Sequence, residues 1–135
     1  LRFMVRNFQL DDKVIFLDWM SNNELPALLN ASDVFVCPSV PLGGWEEQFG
    51  YSMAEASACE VPVISTNIGS IKEVVIDSKS GFLIDPNNSE QLADAINKII
   101  SNQELAKSMG KFGREYVVKN FSHQVVIKKL ISFLS

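Results

Sequence analysis

The sequence predicts an α/β fold: a parallel sheet with helices on both faces. Three observations predict it. Four short apolar runs, each long enough for a buried strand, are spread along the chain. Segments with apolar residues at helical spacing lie between them and after the last. Pro, Gly and helix-capping residues mark the joints. Strands that alternate with helices pair in parallel, and the crossover helices cover the sheet on both sides.

The elements follow in order. Arg2 and Arg6 fall on an opening helix. Val14-Ile15-Phe16-Leu17 reads as the first buried strand. Ser21-Asn22-Asn23-Glu24 reads as a capping box, in which hydroxyl and carboxylate each satisfy an orphan N–H at a helix start. Leu25, Leu28 and Leu29 continue at helical spacing to residue 31, with Pro26 in the first turn, where its missing N–H costs little. Val34-Phe35-Val36-Cys37 is the second strand, stopped by Pro38. Residues 39–48 form a loop with Pro41, Gly43 and Gly44, and a helix follows over 49–59. Val61-Pro62-Val63-Ile64-Ser65 is the third strand, with proline near its start, where it is tolerated. Gly69 leads to a helical turn over 71–75, and Gly81-Phe82-Leu83-Ile84 is the fourth strand. Helices are expected over 89–100, with Leu92, Ile96 and Ile99 on one face, over 103–119, and from 122 to the end.

Composition excludes several classes. The 135 residues suffice for one domain with a core. Apolar residues make up 47% and charged residues 21%, which argues against disorder. The formal charge is −4, from 16 acidic and 12 basic residues without a cationic run, so no nucleic-acid footprint is indicated. Cys37 and Cys59 lack zinc or redox spacing and read as core residues. No apolar run reaches the roughly 20 residues of a membrane span, and there is no signal peptide. A cytoplasmic protein is expected. The chain opens on Leu1 rather than Met, so a longer natural protein is expected.

The chemistry lies in residues 45–66, a loop–helix–strand unit that follows the second strand. In doubly wound sheets ligands bind beyond the carboxyl ends of the strands, where this loop sits. It ends at a helix start, where free N–H groups and the helix dipole favour a phosphate, and Gly50 lets a ligand approach the backbone. Glu47 precedes the helix, and Glu55 lies within it on roughly the same face. Carboxylates so near a phosphate make sense if they accept hydrogen bonds from hydroxyls on either side of it. A nucleotide sugar offers these on its sugar and on its ribose.

Glu47-Gln48-Phe49-Gly50, followed by Glu55-Ala56, resembles the E-x7-E signature of the family 4 retaining glycosyltransferases. Ala31 to Ser39, Pro62-Val63-Ile64-Ser65-Thr66, Gly69, Glu73-Val74-Val75, Gly81-Phe82-Leu83 and Phe121-Ser122 match further family segments in order, from about residue 14 to 134. The resemblance implies the Rossmann-like C-terminal domain of a GT-B enzyme. Glu47 then corresponds to the carboxylate that touches the donor sugar beside the reacting carbon. Gln48, Phe49, Gly50 and Tyr51 correspond to the segment facing the distal phosphate and sugar. Glu55 corresponds to the ribose-binding carboxylate. The implied reaction retains anomeric configuration and uses no metal or other cofactor, only a nucleotide-sugar donor such as a UDP- or GDP-hexose. Donor-diphosphate Arg and Lys, two strand units and the acceptor domain are expected upstream. That absent domain allows peripheral membrane association. Without the two strands the fragment is expected to be inactive alone; either the natural protein is longer, the favoured reading, or the fragment rearranges or self-associates to cover its sheet edge. Asp18 stands where relatives often carry glycine, beside the base pocket, and His123 where they often carry an aromatic residue.

Plainer readings stand beside these. Trp45 is as well explained by loop packing as by a substrate wall. Glu55, among Ala54, Ala56 and Ala58, is expected to be closely packed. His123 has no evident partner and receives no role, and Lys128-Lys129 reads as a solvated helix face. A non-catalytic nucleotide-sugar-binding module and a GT-B sugar epimerase are the alternatives. A receiver-like fold lacks the acidic cluster it would need, since Asp18 stands alone.

Overall fold

The computed structural model describes residues 1–41, 43 and 47–134. Its strands are β1 (Phe35–Cys37), β2 (Val63–Thr66) and β3 (Gly81–Ile84), all parallel in the order β1-β2-β3. Phe35 stands opposite Val63, and Val63 opposite Gly81. The helices are α1 (Arg2–Asn7), α2 (Leu25–Asn30), α3 (Tyr51–Ala58), α4 (Ile71–Val74), α5 (Ser89–Ile100), α6 (Gln103–Phe121) and α7 (His123–Leu134).

The period-2 geometry of a strand sends successive side chains to opposite faces, and here both faces are apolar. Phe35, Cys37, Val63 and Leu83 join Leu29, Met53, Ala56, Ile71, Val74 and Val117 in one core. Val34, Val36, Ile64, Phe82 and Ile84 join Ala95, Ile99 and Met109 in the other. The first is roofed by α2, α3, α4 and the end of α6, the second by α5 and the start of α6. Each fully buried side chain of this kind contributes about 1.5–3 kcal/mol. Gly110 brings α6 against the turn after α3: a Cβ there would lie 2.7 Å from the Glu60 carbonyl carbon.

Most boundaries agree with the sequence within two residues, and the departures have physical reasons. Residues 14–17 are not a strand: they have no regular structure, and Ile15 is 84% exposed. A strand exists only where a neighbour completes its ladder, and among the described residues β1 pairs with β2 alone. The predicted helix at 49 starts at Tyr51, because Gly50 takes a left-handed conformation. Val61 and Pro62 precede β2. The Val61 N–H closes the end of α3 on the Ala56 carbonyl, and the Pro62 carbonyl accepts from the Phe35 N–H. The capping box is half formed. One Glu24 carboxylate oxygen accepts from both the Ser21 N–H (3.0 Å) and the Ser21 hydroxyl (2.6 Å). The Glu24 N–H bonds to the Ser21 backbone carbonyl. Among the described residues no helix is long and apolar enough to cross a membrane.

Candidate functional site

The site is built where β1 ends. The Ser65 hydroxyl donates to the Cys37 carbonyl at 2.7 Å, and the Thr66 hydroxyl donates to the Ser39 carbonyl at 2.6 Å. Both side chains are buried, so the exit of β1 is pinned to β2 and the following loop leaves from the carboxyl edge of the sheet. Trp45 and its neighbour Glu46 lie outside the described residues.

Beyond them, half-buried Glu47 folds back on its own loop. Its Oε1 accepts from the Gly50 N–H at 3.1 Å, and its backbone carbonyl accepts from the Ser70 N–H at 3.3 Å. Gly50 has φ 81° and ψ 54°. That conformation suits glycine, and an added Cβ would also press on the Met53 sulfur at 3.0 Å. The reversal at Gly50 launches α3. The Gly50 carbonyl accepts from the Met53 and Ala54 N–H groups. The N–H groups of Tyr51 and Ser52 have no acceptor among the described residues. Two donors and the positive end of the helix dipole therefore face outward beside Glu47, an arrangement suited to an anion.

Helix α3 turns Met53, Ala56 and Ser57 inward and leaves Tyr51, Ser52 and Glu55 outside. Glu55 is exposed, which corrects the expectation that it is closely packed. Each residue of a helix is rotated by about 100° from the next, so a carboxylate between buried Ala56 and half-buried Ala54 can still point to solvent. Tyr51 and Glu55, one turn apart, line a groove of about 350 Å³ together with Phe49, Phe121 and His123. The Phe49 ring stands 5.0 Å from both the Tyr51 and Phe121 rings, at 60° and 78°. Glu47 is not among the residues lining the groove; it holds the loop that precedes it. Gln48 is exposed on that loop. The structure thus gathers Phe49, Tyr51 and Glu55 in one groove and leaves Glu47 outside its lining, on the loop before α3. Phe121 and His123 complete the groove. The sequence had marked Phe121-Ser122 as a motif without showing that it returns to α3. Among the described residues, no three His, Cys, Asp or Glu side chains are grouped so as to hold a metal ion.

Comparison with known proteins follows the same outline. The family model for glycosyl transferases group 1 matches residues 1–116. The chain is 35% identical over 122 residues to spore coat protein SA of Bacillus subtilis (strain 168), covering 90% of this chain and 31% of that protein. It is 34% identical over 136 residues to a GDP-mannose-dependent alpha-(1-6)-phosphatidylinositol monomannoside mannosyltransferase of Mycobacterium tuberculosis (strain CDC 1551 / Oshkosh), covering 99% of this chain and 35% of that protein. Among solved structures, sucrose-phosphate synthase from Thermosynechococcus elongatus superposes with a TM-score of 0.89 at 30% identity, covering 98% of this chain and 32% of that one. Anabaena Alr3699/HepE in complex with UDP-glucose superposes with a TM-score of 0.87 at 25% identity, covering 98% of this chain and 35% of that one. The chain spans about a third of the length of the curated relatives it matches. Its parallel sheet and flanking helices match the C-terminal domains of GT-B glycosyltransferases. The chain belongs to the group 1 glycosyltransferase family.

Proposed function

We propose that this chain forms the donor-binding part of a retaining family 4 glycosyltransferase, which moves a hexose from a nucleotide-diphospho-sugar to an acceptor. One observation carries the reading: the Tyr51 and Ser52 N–H groups, which have no acceptor among the described residues, start α3 between a held carboxylate at Glu47 and an exposed one at Glu55. The diphosphate lies at the start of α3, met by these N–H groups and the helix dipole. Glu55 accepts hydrogen bonds from the ribose hydroxyls. Glu47 accepts from the donor sugar hydroxyls, beside the carbon where the glycosidic bond breaks and positive charge develops. Fixed donors on the leaving diphosphate stabilise the departing charge without reorganising, and the reaction requires no metal.

The relatives support a sugar nucleotide as donor. One is GDP-mannose-dependent by name, and one neighbouring structure holds UDP-glucose. The hydrogen bond from Gly50 orients the Glu47 carboxylate before any ligand arrives. Glu47→Ala in the full natural protein is therefore expected to reduce turnover more than nucleotide affinity. The mechanism is tested by the anomeric configuration of the product, followed by proton NMR from the first turnovers. Retention is expected, and inversion would overturn the retaining assignment.

A further inference from the structure

We propose that Phe121 is a positioning residue for the donor loop, and that it ties the placement of Glu47 to the elbow from which α7 departs. The proposal rests on the donor-site reading of Glu47. It arises from a closed circuit of contacts. The Glu47 carbonyl accepts from the Ser70 N–H, just before α4. On α4 the Glu73 carbonyl accepts from the Tyr116 hydroxyl at 3.0 Å. The Tyr116 ring meets the Phe121 ring at 6.0 Å and 70°, and Phe121 meets Phe49 at 5.0 Å and 78°. Phe49 is followed by Gly50, whose N–H returns to the Glu47 carboxylate.

Within this circuit Phe121 is set at the change of backbone direction between two helices. It ends α6, Ser122 is extended with φ −61° and ψ 150°, and α7 starts at His123. Edge-to-face ring pairs have a preferred geometry, so a tilt of the elbow is passed to Phe49 and from there to the backbone that holds Glu47. Phe121 touches no reacting atom; it acts through Phe49.

The test uses steady-state kinetics of the full natural protein. Phe121→Ala is expected to lower turnover at saturating donor about tenfold while the donor KM moves by less than about threefold, because a small misplacement of a reacting group costs rate. Phe121→Tyr, which keeps the ring, restores turnover. Phe121→Leu folds with less disturbance than alanine and is expected to share its turnover defect. Ile99→Ala, a deletion in the core on the opposite face, serves as the stability control and leaves turnover per folded molecule unchanged. Wild-type turnover in Phe121→Leu, or equal losses in Phe121→Ala and Ile99→Ala, would overturn the proposal. If Glu47→Ala loses turnover and the Phe121 variants do not, this inference fails and the donor-site reading stands. If Glu47→Ala keeps full turnover, both fall.

Discussion

Replacing Gly110 by alanine sets two effects against each other, and the structure decides the sign. Gly110 lies inside α6, where helix propensity alone favours alanine by about 1 kcal/mol. Yet the new Cβ would lie 2.7 Å from the Glu60 carbonyl carbon, 3.3 Å from its Cα, and nearer still to its oxygen. Carbon atoms pack at about 3.5–4.0 Å, so α6 must retreat from the turn by about 1 Å. That turn cannot yield easily. Glu60 has φ 61°, Val61 beside it is buried, and Arg114 of α6 is hydrogen-bonded to the Ala58 carbonyl across the same contact. Overpacking against fixed backbone costs up to about 3 kcal/mol. The net expectation is a loss of about 2 kcal/mol once the propensity gain is subtracted. Urea unfolding followed by far-UV circular dichroism reads this directly, as a lower midpoint at unchanged slope. A Gly110→Ala variant as stable as the parent, or more so, would refute the argument that close approach fixes glycine here.

Further expectations follow from single groups. Ser57 is buried between α3 and α6, and its hydroxyl has no hydrogen-bond partner among the described residues. Ser57→Ala removes an orphaned polar atom and should raise stability by about 1 kcal/mol, so a lower thermal midpoint would contradict that account. The Ser21 hydroxyl and N–H beside Glu24 hold its carboxyl below the ordinary value of 4.5. A depressed folded-state value adds stability above the ordinary value, and that stability is lost as pH falls through the folded one. Glu24→Gln removes that contribution, so it should lower stability slightly at neutral pH and flatten the acid limb below about pH 4.5, where parent and variant converge. Equal acid sensitivity in parent and variant would rule it out.

What the sequence could reveal depended on how local each signal was. The strand at 81–84 and the helix at 89–100 were legible because their apolar spacing and caps are contained within them. Asn88, for example, accepts the Gln91 N–H at the start of α5. Residues 14–17 were misread because composition shows that a segment suits a sheet, not that a neighbour lies beside it. Glu55 was placed on the helix that carries it, but not its exposure: an alanine-rich neighbourhood suggested close packing, and which side of α3 is covered is set by residues distant in the chain. The loop carboxylate and Gly50 were legible as a motif. The hydrogen bond joining them, and the aromatic path from Phe49 to Phe121, link residues that spacing alone does not bring together.

The central claim is that the start of α3 and Glu55 form a nucleotide-sugar site. The most direct test is calorimetric titration of the natural protein and its Glu55→Ala variant with UDP, GDP and ADP and their glucose and mannose forms. The account predicts that one base binds and that the variant binds it about 10- to 100-fold more weakly, as expected for losing hydrogen bonds to a charged acceptor. Unchanged affinity in the Glu55→Ala variant would contradict it.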